Sequence, residues 1–354
     1  MFSLKPDYQQ AQTRINAFWS HGEVDRPAII MSHRKPAAPP YPHKTYPTHQ
    51  SRWLDSEERA KETLHWMENT VFHAEAMPVC MPDLGPSLLS GMAGCPYTFE
   101  ATTSWTKPCM HTWENDTAIM DMNHPLGQKL KEYTKALLEV AKGKFIVGLS
   151  DLHPGGDHLA ALRGSENLAM DLLEYPDEVK AKLESSYKEY FPIYDYYVNW
   201  LKKEGNPIAS WIPLTSEKDM YIPSNDFSYM ISKPMFDEFF LPGIVEECRH
   251  YSNSIYHLDG PGSILHLDSL LAIPELDAIQ WVPGAAEEQV RPWIDLFKKI
   301  LAAKKSIIAY PQNMMDLKLL MENLPAQGLC LQMWGIQNQE EADDLMKLIG
   351  KWGR

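Results

Sequence analysis

Residues 254–262 read Ser-Ile-Tyr-His-Leu-Asp-Gly-Pro-Gly. A short apolar run that ends in polar residues and a Gly-Pro-Gly turn predicts a β-strand running to the edge of a sheet. His257 and Asp259 stand two positions apart, so a strand puts both side chains on one side. Three readings of the pair are open. It can supply metal ligands, or an acid/base pair in which Asp259 holds and polarises His257, or only a hydrogen-bonded strand end.

Working outward, seven further apolar, β-branched runs predict strands at 27–33, 76–83, 144–153, 207–215, 276–284, 306–312 and 328–334. Helical patterns alternate with them. Asp55 and Glu58 form a D-x-x-E capping box ahead of Ala60, Leu64, Met67 and Val71 at helical spacing. Pro176, Asp177 and Glu178 open a long helix that Pro192 is expected to kink or split. Residues 340–349 predict a last helix, and the segment before the first strand a helical extension. Residues 35–50 are too rich in proline for strand or helix, and 97–113 alternate like an inserted β-hairpin. Eight parallel strands joined by helices predict an α/β chain folded as a single (β/α)8, or TIM, barrel over 1–354, with the hairpin after the second strand.

Composition narrows the partners. A net charge of −14 argues against nucleic acid and against an anionic membrane surface, both of which need basic patches. The five cysteines are odd in number and widely spaced, with no C-x-x-C, which disfavours a disulfide framework or zinc ribbon. With no leader pattern and no long apolar stretch, a cytoplasmic location is expected. The 11 Trp and 16 Tyr suit a walled pocket for a small molecule. Glycine-rich nucleotide loops, G-x-S-x-G and H-E-x-x-H are absent, which argues against nucleotide-driven chemistry and triad hydrolysis.

In a barrel, side chains at the carboxyl ends of strands share one mouth. Asp83 closes the run Met77-Pro78-Val79-Cys80-Met81-Pro82 and is either catalytic or a helix cap. Asp151 and His153 share a face at another strand end, with Asp157 and His158 following, although a polar loop would read the same way. Asp226 follows the fourth strand as a mouth residue or a turn residue. His33 and Arg34 end the first strand, Arg34 as a candidate carboxylate clamp. Cys330, Gln332 and Trp334 share a face of the last strand, Cys330 as a thiolate ligand or a small core residue. Trp281 and Trp334 either wall the pocket or pack.

Three stretches carry a resemblance. They are Asn225-Asp226-Phe227-Ser228-Tyr229-Met230-Ile231-Ser232 leading into Met235-Phe236-Asp237-Glu238-Phe239, then Tyr256 to Gly262, and then Leu276 to Gly284. With these the chain resembles the uroporphyrinogen decarboxylase superfamily, which includes the corrinoid-linked methyltransferases. The resemblance implies a (β/α)8 barrel with its pocket at the carboxyl face, and dimerisation. The decarboxylase branch uses an arginine-rich Met-Arg-Gln-Ala-Gly-Arg motif and an aspartate where Asp83 falls. Here the first motif reads Met31-Ser32-His33-Arg34-Lys35, and nine arginines in a −14 chain poorly suit a tetrapyrrole bearing eight carboxylates. The methyltransferase branch carries zinc on a His-x-Cys pair and a later cysteine. The matching residues are His257-x-Asp259, with Cys330 near the later place. Exchanging thiolate for carboxylate makes a harder site, suited to an ether oxygen or an amine nitrogen.

The resemblance therefore implies a methyltransferase that moves a methyl group from a methoxyaromatic or methylamine donor to a corrinoid protein, with a metal ion, zinc first, held by His257, Asp259 and Cys330. Asp83, Asp151 and His153 would orient the donor. The alternative is a metal-free decarboxylase or lyase on a small carboxylic acid, using Asp83 and Arg34. A non-catalytic barrel that binds a ligand or partner is a third reading.

Overall fold

The computed structural model describes residues 2–114, 116–284 and 288–353. In chain order its strands are β1 (Ala28–Arg34), β2 (Thr70–Ala74), β3 (Val79–Cys80), β4 (Tyr97–Phe99), β5 (Ser104–Thr106), β6 (Ile146–Val147), β7 (Met220–Tyr221), β8 (Asn253–Asp259), β9 (Ala278–Val282), β10 (Ser306–Ala309) and β11 (Leu329–Gln332). Seven of them form one sheet in the order β2-β1-β11-β10-β9-β8-β7, parallel throughout except for β2 against β1. β3 and β6 form a separate parallel pair, and β4 and β5 the expected hairpin.

The chain is thus a mixed α/β fold with a parallel sheet and helices between its strands. The closed eight-stranded ladder expected from the sequence does not form among the described residues. A backbone bond crosses one seam, Leu149 N–H to Ala209 O at 2.7 Å beyond β6, whereas Glu75 N–H to Ile29 O at 3.0 Å only extends the β1–β2 pairing. Proline explains the short strands. Pro78 and Pro82 have no N–H to donate, which confines the run 76–83 to the two residues of β3. The expected fourth strand, 207–215, instead folds back through an Ile208–Ser216 bridge, with Pro207 and Pro213 inside it, and β7 stands in its place.

Two helical expectations also change. The helix Ser56–Glu68 stops before Val71, which lies in β2, where β-branched Thr70 and Val71 favour an extended chain. Pro192 does not split its helix, which runs unbroken from Pro176 to Lys203. The last helix, Gln339–Ile349, stands as expected.

The amino ends of the strands are sealed. The helix Tyr8–Trp19 lies across them: Gln12 Nε2 and Trp19 Nε1 donate to Thr215 O, and Ser306 Oγ donates to Phe18 O. Beside it the buried Glu75 carboxylate takes a two-pronged bond from Arg26 at 2.7 and 2.8 Å and a third from Ile29 N–H. Arg14 Nε adds a second ion pair to Glu75 at 3.2 Å, so it is removal of Glu75 that would strip the largely buried Arg26 of its partner, at a cost of roughly 3–5 kcal/mol. With the floor closed, chemistry is left to the carboxyl ends.

Candidate active site and metal centre

The carboxyl end of β8 turns sharply at Gly260, where φ is +77°. A β-carbon there, or at Gly262, would meet the Tyr229 ring within 3 Å, so this turn requires glycine. The turn carries the chain away and leaves His257 and Asp259 facing the mouth. Asp226, in the turn after β7, comes to meet them: one donor atom from each of Asp226, His257 and Asp259 lies within 4.8 Å of the others. His257 Nε2 stands 3.9 Å from Asp226 Oδ1.

The other ring nitrogen fixes the imidazole. His257 Nδ1 lies 2.6 Å from Gln280 Oε1 on β9, and Gln280 Nε2 donates to Tyr310 Oη. Because the Gln280 amide oxygen can only accept, Nδ1 carries the proton and Nε2 presents a lone pair toward the two carboxylates. That is how a second residue orients a metal-binding histidine. Tyr310 stacks on Trp334 at 5.1 Å, nearly parallel, so one chain of contacts runs from the rim to His257. Trp211 stands edge-on to His257 at 5.0 Å and to His153 at 6.2 Å.

Asp151 and His153 follow β6 and form an ion pair through His153 Nε2. Burial by itself would lower the His153 pKa, but the Asp151 charge and hydrogen bond, with Asp157 and Asp226, raise it to about 9. His153 is therefore an imidazolium at neutral pH. The Asp226 pKa also rises, which for an acid favours the neutral form. Although its side chain is 55% exposed, partial loss of water around the carboxyl and the nearby Asp157 and Asp259 charges push it to about 6, with His257 and His153 opposing. Asp157 ties the two segments together, accepting from Phe227 N–H at 2.9 Å and Ser224 Oγ at 3.1 Å. Burial raises the Asp83 pKa, opposed by the Gly85 N–H and the Arg59 charge, with Asp151 adding to the rise. Beside this group opens a cavity of about 560 Å³, whose lining includes His153, Asp157, Asp226, Phe227, Trp105 and Met230.

Four expected site residues lie elsewhere. Cys330 is fully buried, its thiol pushed well up by burial, and the charge acting on it is that of Glu75 at the sealed floor. It does not join the Asp226–His257–Asp259 group, because it sits two residues below the carboxyl end of β11, level with Ala28 at the start of β1. Trp281 alternates with Gln280, so it points away from the mouth and packs on Trp293 at 4.9 Å. His33 faces outward as well: it stacks on His73 of β2, whose ring senses Asp343 of the last helix. Arg34 is exposed and donates to Trp66 O at 3.2 Å. Both follow from the antiparallel β2, which the sequence did not reveal.

Gln280, Tyr310 and Trp211 were missed. Gln280 carried a signal, being an amide within the apolar run Ala278-Ile279-Gln280-Trp281-Val282. A buried amide needs partners, and its strand alternation points to β8.

No family model and no curated protein matches this sequence. Among solved structures it is similar to a methyltransferase from Methanosarcina mazei, with a TM-score of 0.59 and 11% identity, covering 99% of this chain and 98% of that one. At that identity the likeness is one of fold, and what the two chains share is the arrangement of their backbones.

Proposed function

We propose that the chain is a methyltransferase that takes a methyl group from a small methylated donor, of methoxyaromatic or methylamine type, and passes it to a corrinoid carried on a separate protein. The observation that carries this reading is the convergence of Asp226, His257 and Asp259 beside an aromatic-rimmed cavity.

The donor set fits a metal ion. Two carboxylates and an imidazole with a free Nε2 supply three protein ligands, the number that leaves a coordination position open in a catalytic zinc site. Without a cation, a lone pair would face two acids. Asp226, His257 and Asp259 would hold the ion, with Gln280 fixing the ring. When bound, the metal supplies Lewis acidity at the oxygen or nitrogen that loses the methyl group.

The rest falls to the protein. An alkoxide, phenoxide or amide anion leaves poorly, so the leaving atom needs positive charge or a proton beside it. His153 supplies both: Nε2 is held by Asp151, while Nδ1 has no protein partner among the described residues and is free to donate to a bound acceptor. Trp211, set edge-on to both imidazoles, packs the wall and limits water. Asp83, buried and close enough to Asp151 for their charges to repel, is pushed toward its neutral form and would orient the donor from the same side. The lyase reading loses its carboxylate clamp, since Arg34 binds a helix end on the surface.

The test is to incubate the metal-loaded protein with a panel of methyl donors and a reduced corrinoid carrier while following cob(I)alamin absorbance. Donor-dependent loss of that absorbance is expected. No change with any donor or carrier would overturn the proposal.

A further inference from the structure

The inserted hairpin β4–β5 has a cysteine on each side of its base. Pairing continues past the strands through Lys107 N–H to Pro96 O at 3.0 Å, which draws residues 95 and 109 together. The Cys95 and Cys109 Sγ atoms lie 2.9 Å apart, and both are free thiols. The base is also held on the helix Gly155–Arg163. The N–H groups of Cys109 and Met110 both donate to Leu162 O at 3.0 Å, and Cys95 Sγ contacts Ala161 O at 3.7 Å. That helix and this hairpin form one side of the cavity through Ala161, Asp157, Trp105, Thr106 and Pro108.

We infer that Cys95 and Cys109 are a dithiol/disulfide pair whose closure ties the hairpin strap at the rim of the cavity. A bond of 2.03–2.05 Å needs the two sulfurs to approach by about 0.9 Å. The oxidant is a small-molecule disulfide. Cys109 is half-buried and reachable while Cys95 is buried, so the Cys109 thiolate attacks first, displaces one thiolate and forms a mixed disulfide. Cys95 sulfur then attacks the Cys109 sulfur, and the second thiolate leaves with the Cys95 proton. The protein loses two electrons and two protons, and the oxidant becomes two thiols. Among the described residues the Cys95–Cys109 contact is the only close approach of two cysteine sulfurs, which confines the reaction to one pair.

The experiment equilibrates the full chain with oxidised and reduced glutathione, then alkylates and maps it by mass spectrometry. Expected are the loss of two hydrogens, one cross-linked peptide joining 95 to 109, and three alkylated cysteines. C95S should stop at a single glutathione adduct on Cys109, and C109S should take none at Cys95. Hydrogen exchange over 97–106 should slow by about tenfold or more on oxidation and recover with reductant. The wild-type readings stand without either variant. Complete alkylation of all five cysteines under excess oxidant, a cross-link elsewhere, or hairpin exchange indifferent to oxidation would each overturn the inference.

Discussion

Exchanging Asp151 for asparagine keeps the shape of the side chain and deletes the charge that faces His153. The His153 ring is raised from 6.5 to about 9 in the folded chain, so folding favours its protonated form by at most about 3 kcal/mol, at 1.36 kcal/mol per pH unit. The two side chains are 13% and 18% exposed, so solvent weakens the pair only in part. A histidine whose folded pKa lies above its unfolded value adds stability that is fully present below pH 6.5. That stability is lost as pH rises through 9. In Asp151→Asn the burial that lowers the pKa loses its main opponent, and His153 should be neutral near pH 7. Urea unfolding of both proteins at pH 6, 7.5 and 9.5 isolates the effect, because titrations that do not sense Asp151 cancel in the difference. The wild type should lose roughly 2–3 kcal/mol more than Asp151→Asn across that range. Equal losses in the two proteins would refute the assignment of His153 as an imidazolium.

Three other outcomes follow. Gln280→Met should weaken zinc binding about 10–100-fold in a competition titration with a chelating dye, because His257 loses the acceptor that fixes its proton. Trp281→Ala should cost roughly 3–5 kcal/mol in denaturant unfolding yet leave zinc affinity unchanged, since the ring packs on Trp293 away from the mouth. In the metal-free protein Asp226 takes up its proton near pH 6, so zinc binding at pH 5.5 should release a proton that Asp226→Asn does not. Calorimetry in buffers of different ionisation enthalpy counts it.

The parallel α/β plan was legible because β8 to β11 are short, largely apolar runs free of proline, with β-branched Ile or Val in β8, β9 and β10. The region before β7 was not, since Pro78, Pro82, Pro207 and Pro213 remove the donors a ladder needs while leaving the apolar pattern intact. Among site residues, the two-residue spacing of His257 and Asp259 survives because strand alternation is a local rule. That Asp226 joins them depends on how the turn after β7 meets β8, which no local pattern records. Trp281 and His33 were displaced by sidedness, since a strand's alternation tells which residues share a face, not which face looks inward; Cys330 was displaced by its depth on β11, and Arg34 by its bond to Trp66 O on the surface. Gln280 would have settled that sidedness, since a buried amide in an apolar strand marks the side where a polar partner waits.

The proposed chemistry depends on one site in which Asp226, His257 and Asp259 would hold one metal ion. Its most direct test is equilibrium dialysis of the purified chain against zinc, alongside the His257→Ala, Asp259→Ala double variant. One equivalent bound by the wild type, with affinity at least about 100-fold lower in the folded double variant, is the expected result. Less than about a tenth of an equivalent bound by the wild type, or identical binding in the two proteins, would contradict it.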